Sequence, residues 1–311
     1  MSGGAHELGG AGVLFAVDAH VRVRELIRAL GCLDAAYRRA PPERRLPILV
    51  DYNNATFALP LMDWQLPLTV RTRESLPEAS RRVGNIQKVV AALHSPFART
   101  IVLDADTCVL RSIALPHMLA PLEHFDFVST WSCCARMRGR TRSNYTEPLY
   151  GTGWEPNAGV FAVSRRPSSL RLLRAWWREF DAHYDRYNTY TSKEQQALLE
   201  VFARSGAKYS FFPMPATFNL RPMTTGASPA SPIALGGPHA VHIYHHHLKP
   251  KTSARAKLRR WFSTAAQVDR RNGIQLSALE RLSRWRHLGG LMRSAKRRNG
   301  TAHLVHSQQP A

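Results

Sequence analysis

Acidic side chains are scarce in this chain of 311 residues: 22 Asp and Glu stand against 43 Lys and Arg, a formal net charge of +21. Such an excess suits a polyanionic partner or surface, namely nucleic acid, acidic headgroups or phosphate-bearing substrates. Cysteine is scarce too. Cys32, Cys108, Cys133 and Cys134 show no Cys-x-x-Cys spacing, and the adjacent pair is poor geometry for a mutual disulfide. The reading is a chain held by its core in a reduced, cytoplasmic setting. No apolar run approaches the roughly 18 residues of a membrane span. The early run from Gly12 to Val17 stops at Asp18, too short for a secretory signal and without its basic flank. On that ground the Asn-x-Ser/Thr triplets at Asn54, Asn144 and Asn299 read as chance. No internal repeat, zinc finger, RRM or helix-turn-helix pattern is present, so nucleic acid is not the expected partner despite the charge.

What the sequence does contain is an ordinary globular body. Hydrophobic residues make up 44% and charged residues 21%, enough for a sizeable core. The charge is uneven. From Lys249 onward fifteen Lys and Arg face only Asp269 and Glu280, so the end of the chain carries more than half of the excess. Residues 1–250 therefore read as one domain. Residues 251–311, with short Arg-rich amphipathic stretches, read as a basic helical appendage able to lie on an anionic membrane surface or an acidic partner.

Within the body, short apolar runs alternate with segments of helical periodicity. Strands are expected over Gly12–Ala19, Pro47–Tyr52, Leu66–Val70 and Thr100–Leu103, and helices over Val21–Tyr37 and Arg82–Leu93. Further strands are expected at Phe125–Trp131, Gly159–Ser164, Tyr209–Phe212 and Val241–Tyr244, with helices at Leu170–Tyr184 and Glu194–Ser205. Strands apolar on both faces, alternating with helices, predict an α/β fold with a mostly parallel, Rossmann-like sheet. Ligands bind such sheets at the carboxyl ends of the strands, where Asp18 and Asp104-Ala105-Asp106 fall.

Two carboxylates one residue apart at a strand end suit a hard cation, Mn²⁺ or Mg²⁺, shared with substrate phosphates. The stretch KVVAALHSPFARTIVLDADTCVL, from Lys88 to Leu110, resembles the donor-site segment of GT-A nucleotide-diphospho-sugar transferases. Three later segments follow the family's order. Pro156-Asn157-Ala158-Gly159-Val160-Phe161 resembles its Asn-x-Gly-Val strand, and Glu194-Gln195-Gln196-Ala197 its Asp-Gln-x-Ala helix start. His242 to Pro250 resembles the closing His/Lys-Pro segment of the glycogenin-like branch, and in all the likeness spans residues 12–250.

The resemblance implies a metal-dependent glycosyltransferase that takes a sugar nucleotide, a UDP-sugar above others, and passes the sugar to an acceptor that the sequence does not name. It implies that Asp106 binds the metal, that Asp104 binds the metal or the ribose, and that His242 completes the site. Asp18, Lys88, Asn157, Gly159 and Lys249 would meet the donor, and Glu194 and Gln195 the sugar hydroxyls. The chain departs from the family pattern in two places. Glu194 stands for Asp, and the closing segment has one extra residue between His242 and Lys249, which leaves His245 or His247 as alternative ligands. The glycogenin-like likeness implies retention of configuration; for inversion a base is needed, with Glu147, Glu155 and Asp185 as candidates.

Other readings weigh less. A haloacid-dehalogenase-type phosphatase has a similar Asp-x-Asp, but near its amino terminus. A sugar-nucleotide-forming enzyme opens with a Gly-rich loop after the first strand, whereas here Gly3-Gly4 and Gly9-Gly10 precede it. A GT-A-like body that has lost activity and binds an anion through its tail is the alternative from another class. Acceptor pockets are expected in variable loops, here Arg136–Trp154 and Met223–Pro238.

Overall fold

A computed structural model describes residues 10–17, 23–52, 66–72, 86–131, 155–188, 193–219 and 242–245. All of them fall in one compact unit, Met1–Pro250. Asp18, Lys249, His247, Glu147, the two expected acceptor loops, the three Asn-x-Ser/Thr triplets and the basic segment from residue 251 lie outside the described residues.

The first apolar run is a strand, β1 (Ala11–Val17), whose Val13, Leu14, Phe15 and Val17 are buried. Helix α1 (Val23–Arg38) covers it with Leu26, Leu30, Leu33 and Tyr37, spaced four, three and four so that they share one face. Strands β2 (Ile48–Tyr52) and β3 (Leu68–Thr72) follow, then helix α2 (Gln87–Leu93) and strand β4 (Arg99–Leu103). A short strand β5 (Thr107–Val109) and helix α3 (Ala114–Leu119) come next, followed by β6 (Phe127–Trp131) and the nine-residue β7 (Pro156–Ser164). Helices α4 (Pro167–Ala182), α5 (Tyr184–Asn188) and α6 (Lys193–Ser205) precede β8 (Phe211–Met214) and β9 (Ile243–His245).

Seven strands form one sheet in the order β3-β2-β1-β4-β7-β6-β8. Strands β1 to β4 pair in parallel, β6 pairs in parallel with β8, and β7 alone runs against both its neighbours. The beginning of β7 therefore meets the carboxyl ends of β4 and β6 at one edge. Strands β5 and β9 make a separate antiparallel ribbon, with Thr107 opposite His245 and Val109 opposite Ile243. The mostly parallel α/β sheet matches the sequence expectation.

Aromatic packing anchors the second half. Phe127 stacks on Phe161 at 5.2 Å between ring centroids, and Trp176 of α4 meets Phe161 at 5.5 Å. Phe97 belongs to the same core, and Gly12 leaves room for it: an added Cβ would lie 2.3 Å from its ring carbons.

Several details differ from the sequence reading. Strand β7 starts at Pro156, three residues before the expected Gly159, so Asn157 is a strand residue, as the resemblance implies. The short β5 and α3 were not expected, because three and six residues give too little periodicity to see. The long helix expected to reach Tyr184 stops at Ala182 and a new short helix begins. Its start moves to Pro167, which fits a first helical turn because it has no N–H to leave unsatisfied.

The cysteine reading needs correction. Cys32 of α1 and Cys108 of β5 are joined in a disulfide across 76 residues, with Cα atoms 5.4 Å apart. Spacing along the chain cannot reveal such a bond, since only the fold brings the two elements together. Disulfides persist in oxidising compartments, so the bond runs against the expectation of a reduced, cytoplasmic protein. No helix among the described residues is long and apolar enough to cross a membrane.

Candidate functional site

The carboxyl edge of β4 delivers Asp104-Ala105-Asp106 as a tight turn. Thr107 closes it twice, its backbone N–H donating to the Asp104 carbonyl at 3.0 Å and its hydroxyl to the same oxygen at 2.6 Å. Asp104 N–H in turn donates to the Gly159 carbonyl at 2.8 Å, which locks the turn to the start of β7. Ala105 is buried beneath, while Asp104 and Asp106 are partly exposed.

Lys88 projects from α2 onto this turn. Its ammonium lies 2.6 Å from Asp104 Oδ1 and 3.3 Å from Glu194 Oε1, with the lysine residue only 4% exposed. A cation so far from water needs paired carboxylates to remain charged, and it has two.

The start of α6 reaches the same place. Ala158 N–H donates to Gln195 Oε1 at 3.2 Å, and Gly159 N–H donates to Asn157 Oδ1 at 2.7 Å. In both side chains the amide oxygen is used by the backbone of β7, which turns the NH₂ group into the part able to meet a ligand oxygen. Ser129 of β6 donates to the carbonyls of Asn157 and Val160 and so holds the β7 backbone from the other side. Beneath α6, the Trp176 indole N–H donates to the Glu194 carbonyl at 2.7 Å.

The structure thus joins Lys88, Asp104, Asn157, Gly159, Glu194 and Gln195 through direct hydrogen bonds and ion pairs to one another or to the first residues of β7. Asp106 stands two residues from Asp104 on the same turn. Glu155, the buried residue just before β7, is on the same edge, whereas Asp185 is exposed on α5.

His242 is placed differently. It precedes β9, its ring meets Phe218 at 4.6 Å, its N–H donates to the Thr217 carbonyl and its carbonyl accepts from Leu110 N–H. Burial, then Arg111 and His117, push its pKa below the usual histidine value. Along the ribbon it is His245, not His242, whose backbone lies opposite Thr107 and so next to Asp106. The register therefore favours His245 as the candidate from the closing segment.

Among the described residues no group of three or more His, Cys, Asp and Glu side chains is gathered around one point that would hold a metal. Two carboxylates on one turn nevertheless fit Mg²⁺ or Mn²⁺, which commonly takes one or two protein carboxylates and completes its shell with phosphate and water. Charge agrees. Asp104, Asp106 and Glu194 against Lys88 leave two formal negative charges, the amount one divalent cation neutralises.

Sequence reasoning missed Trp176 and Ser129. Neither carries a local signal, because each acts through a backbone carbonyl of a residue distant in the chain.

No family model matches the chain, and no curated protein matches it by sequence. Solved structures do match. The bifunctional glycosyltransferase WbbM superposes with a TM-score of 0.55 at 11% identity, over 78% of this chain and 46% of that one. The glycosyltransferase GlyE of Streptococcus pneumoniae TIGR4 gives 0.50 at 13%, over 82% of this chain and 64% of that one. The chain has the GT-A glycosyltransferase fold. Mouse xyloside xylosyltransferase 1 aligns over 79% of this chain and its own full length, at 16% identity and a TM-score of 0.49. The chain spans about half of WbbM and under two thirds of GlyE. In this GT-A fold the candidate cluster occupies the sheet edge where β4, β6 and the start of β7 converge.

Proposed function

We propose that the protein is a glycosyltransferase that moves a sugar from a nucleotide diphosphate donor, a UDP-sugar, to an acceptor, with Mn²⁺ or Mg²⁺ bound by Asp106 and by Asp104. The observation that carries this reading is the convergence of Asp104, Lys88, Glu194, Gln195 and Asn157, from four separate elements, on one strand edge of a GT-A sheet.

The chemistry needed is departure of a nucleoside diphosphate from the anomeric carbon. A divalent cation, when bound, supplies positive charge to the leaving diphosphate. The chain's own residues do the rest. Lys88 orients Asp104 and Glu194 and adds a fixed cation beside the leaving group. Asn157 and Gln195, with their amide oxygens committed to β7, present NH₂ donors towards sugar hydroxyls, and the Glu194 carboxylate accepts from them. Burial of Lys88 and Gln195 keeps water from competing for these bonds and strengthens them. Asp18 and Lys249 are proposed at the two ends of the donor, near the nucleotide and the diphosphate, and His245 or His242 as a further metal ligand.

The test is donor turnover. Purified protein with Mn²⁺ and a panel of sugar nucleotides should release nucleoside diphosphate from one donor, and lose that activity with EDTA or in Asp106→Ala. Failure to bind or turn over any donor in the presence of metal would remove the catalytic reading.

A further inference from the structure

The fourteen residues from Arg165 to Arg178 hold five arginines and no acid. Two of them, Arg165 and Arg166, follow β7 and donate to the carbonyls of Ser95 and Glu123, which leaves their charge uncancelled. The other three lie on α4. Arg171, Arg174 and Arg178 are exposed, and none is hydrogen-bonded to or ion-paired with a described residue. Nearby arginines are treated differently: Arg186 of α5 pairs with Glu200 at 3.2 Å, and Arg204 of α6 with Glu179 at 2.8 Å.

Spacings of three and four put Arg171, Arg174 and Arg178 on one face of α4, in a line about 10 Å long. The opposite face carries Leu172, Leu173, Trp176 and Phe180 into the core. Helix α4 packs against α2, α6 and β7, which hold it flat on the domain and leave the arginine face exposed. Of the two acids of α4, Glu179 is bonded to Tyr187 and Arg204, and Asp181 stands beside the line only at the last turn. Leu170 and Trp177, seven residues apart and half-buried, border the line on one side.

A row of unpaired guanidinium groups fits a surface with many phosphates, because each planar fork bonds a phosphate bidentately. Nothing in this protein complements it. The chain from Lys249 onward carries fifteen Lys and Arg against two acids, and a second copy would bring the same row. Duplex nucleic acid fits poorly: a helix must stand clear of its domain to enter a major groove about 12 Å wide, and α4 is packed along α2 and α6. A bilayer surface needs no such protrusion, and Leu170 and Trp177 beside arginines are the mixture of apolar and basic side chains that suits a membrane interface. We propose that the outer face of α4, with Arg165 and Arg166, is a docking face for an anionic lipid bilayer, bound through the lipid phosphates. Among the described residues, none of the row bonds to Lys88, Asp104, Asn157, Glu194 or Gln195, so docking leaves the bonds of the candidate site intact.

Docking by this face stands apart from the glycosyltransferase reading, and its test needs no turnover. The full chain is co-sedimented with phosphatidylcholine vesicles, with and without phosphatidylglycerol as half of the lipid. The wild type is expected to bind only the anionic vesicles, and less tightly as salt rises. Arg171→Gln/Arg174→Gln/Arg178→Gln places good helix formers at exposed positions, so its melting curve should match the wild type. Its affinity for the anionic vesicles should fall more than about tenfold, since each arginine near such a surface adds roughly a factor of five. The same loss of charge at exposed positions elsewhere, Arg38→Gln/Arg44→Gln/Lys208→Gln, should cost severalfold less. A loss of about tenfold or less in the first variant, or an equal loss in the second, overturns the docking face. So does a wild type that ignores anionic vesicles, and binding to duplex DNA or dextran sulfate in their place would give the arginines a different polyanion.

Discussion

Lys88 and Asp104 form a 2.6 Å ion pair in which the lysine side chain is 5% exposed and the carboxylate 18%. The lysine also reaches Glu194, so a single buried ammonium ties the Asp104-Ala105-Asp106 turn after β4 to the helix that carries Gln195. Lys88→Met, similar in length but neutral, leaves Asp104 and Glu194 facing each other without a cation. Removal of one partner from a buried pair costs about 3–5 kcal/mol. Donor turnover is expected to fall on the order of 10²-fold or more, together with a lower denaturant midpoint. An unchanged rate would show that the pair serves the fold alone.

Asp106→Ala should separate chemistry from stability. Asp106 is partly exposed on a turn that Thr107 closes through Asp104, so the closing bonds do not depend on the Asp106 side chain. Metal-dependent donor turnover should drop by roughly 10²–10³, with the melting curve close to wild type. A variant that retains metal-dependent activity would place the cation elsewhere.

Trp176→Phe addresses the support of α6. The Glu194 carbonyl loses its 2.7 Å indole partner in a buried setting, a loss worth about 1–3 kcal/mol. KM for the donor should rise more than kcat falls, because Glu194 and Gln195, proposed to contact the sugar, shift while the Asp104-Ala105-Asp106 turn does not.

Reduction offers a prediction independent of the site. Breaking the Cys32–Cys108 bond frees a 76-residue loop, and native disulfides typically contribute about 2–4 kcal/mol. Dithiothreitol should lower the melting temperature of the wild type and leave Cys32→Ser unchanged. Equal melting with and without reductant would show that the two thiols are not bonded.

His242 gives a pH dependence with a definite sign. Burial, aided by Arg111 and His117, holds its pKa below the ordinary value near 6.5. Folding thus favours the neutral ring, and the stability tied to it is whole above the unfolded-state pKa and lost as pH falls below it. His242→Phe should flatten the decline in stability as pH falls below about 6.5. An identical decline in the variant would assign it to other groups.

How much was legible in the sequence depended on whether a signal was local. The apolar runs that became β1, β2 and β4 announced a parallel sheet, and Asp104 with Asp106 directly after β4 marked the edge where ligands bind. Lys88 and Gln195 stood in recognisable segments, and the structure bonds both to that edge. What stayed hidden was set by contacts between distant residues. The Cys32–Cys108 bond, the Trp176 hold on Glu194 and the register that puts His245 opposite Thr107 depend on packing, which spacing along the chain does not encode.

The solitary reversed strand has one more implication. Since β7 enters the sheet at the edge where β6 leaves it, Trp131 and Pro156 both stand at the rim of the candidate site. Insertions and substitutions there leave the β4–β7 register, and with it the spacing of Asn157 from Asp104, untouched. On the glycosyl-transfer reading proposed above, substrate choice is thereby free to diverge while Asn157 and Asp104 keep their spacing.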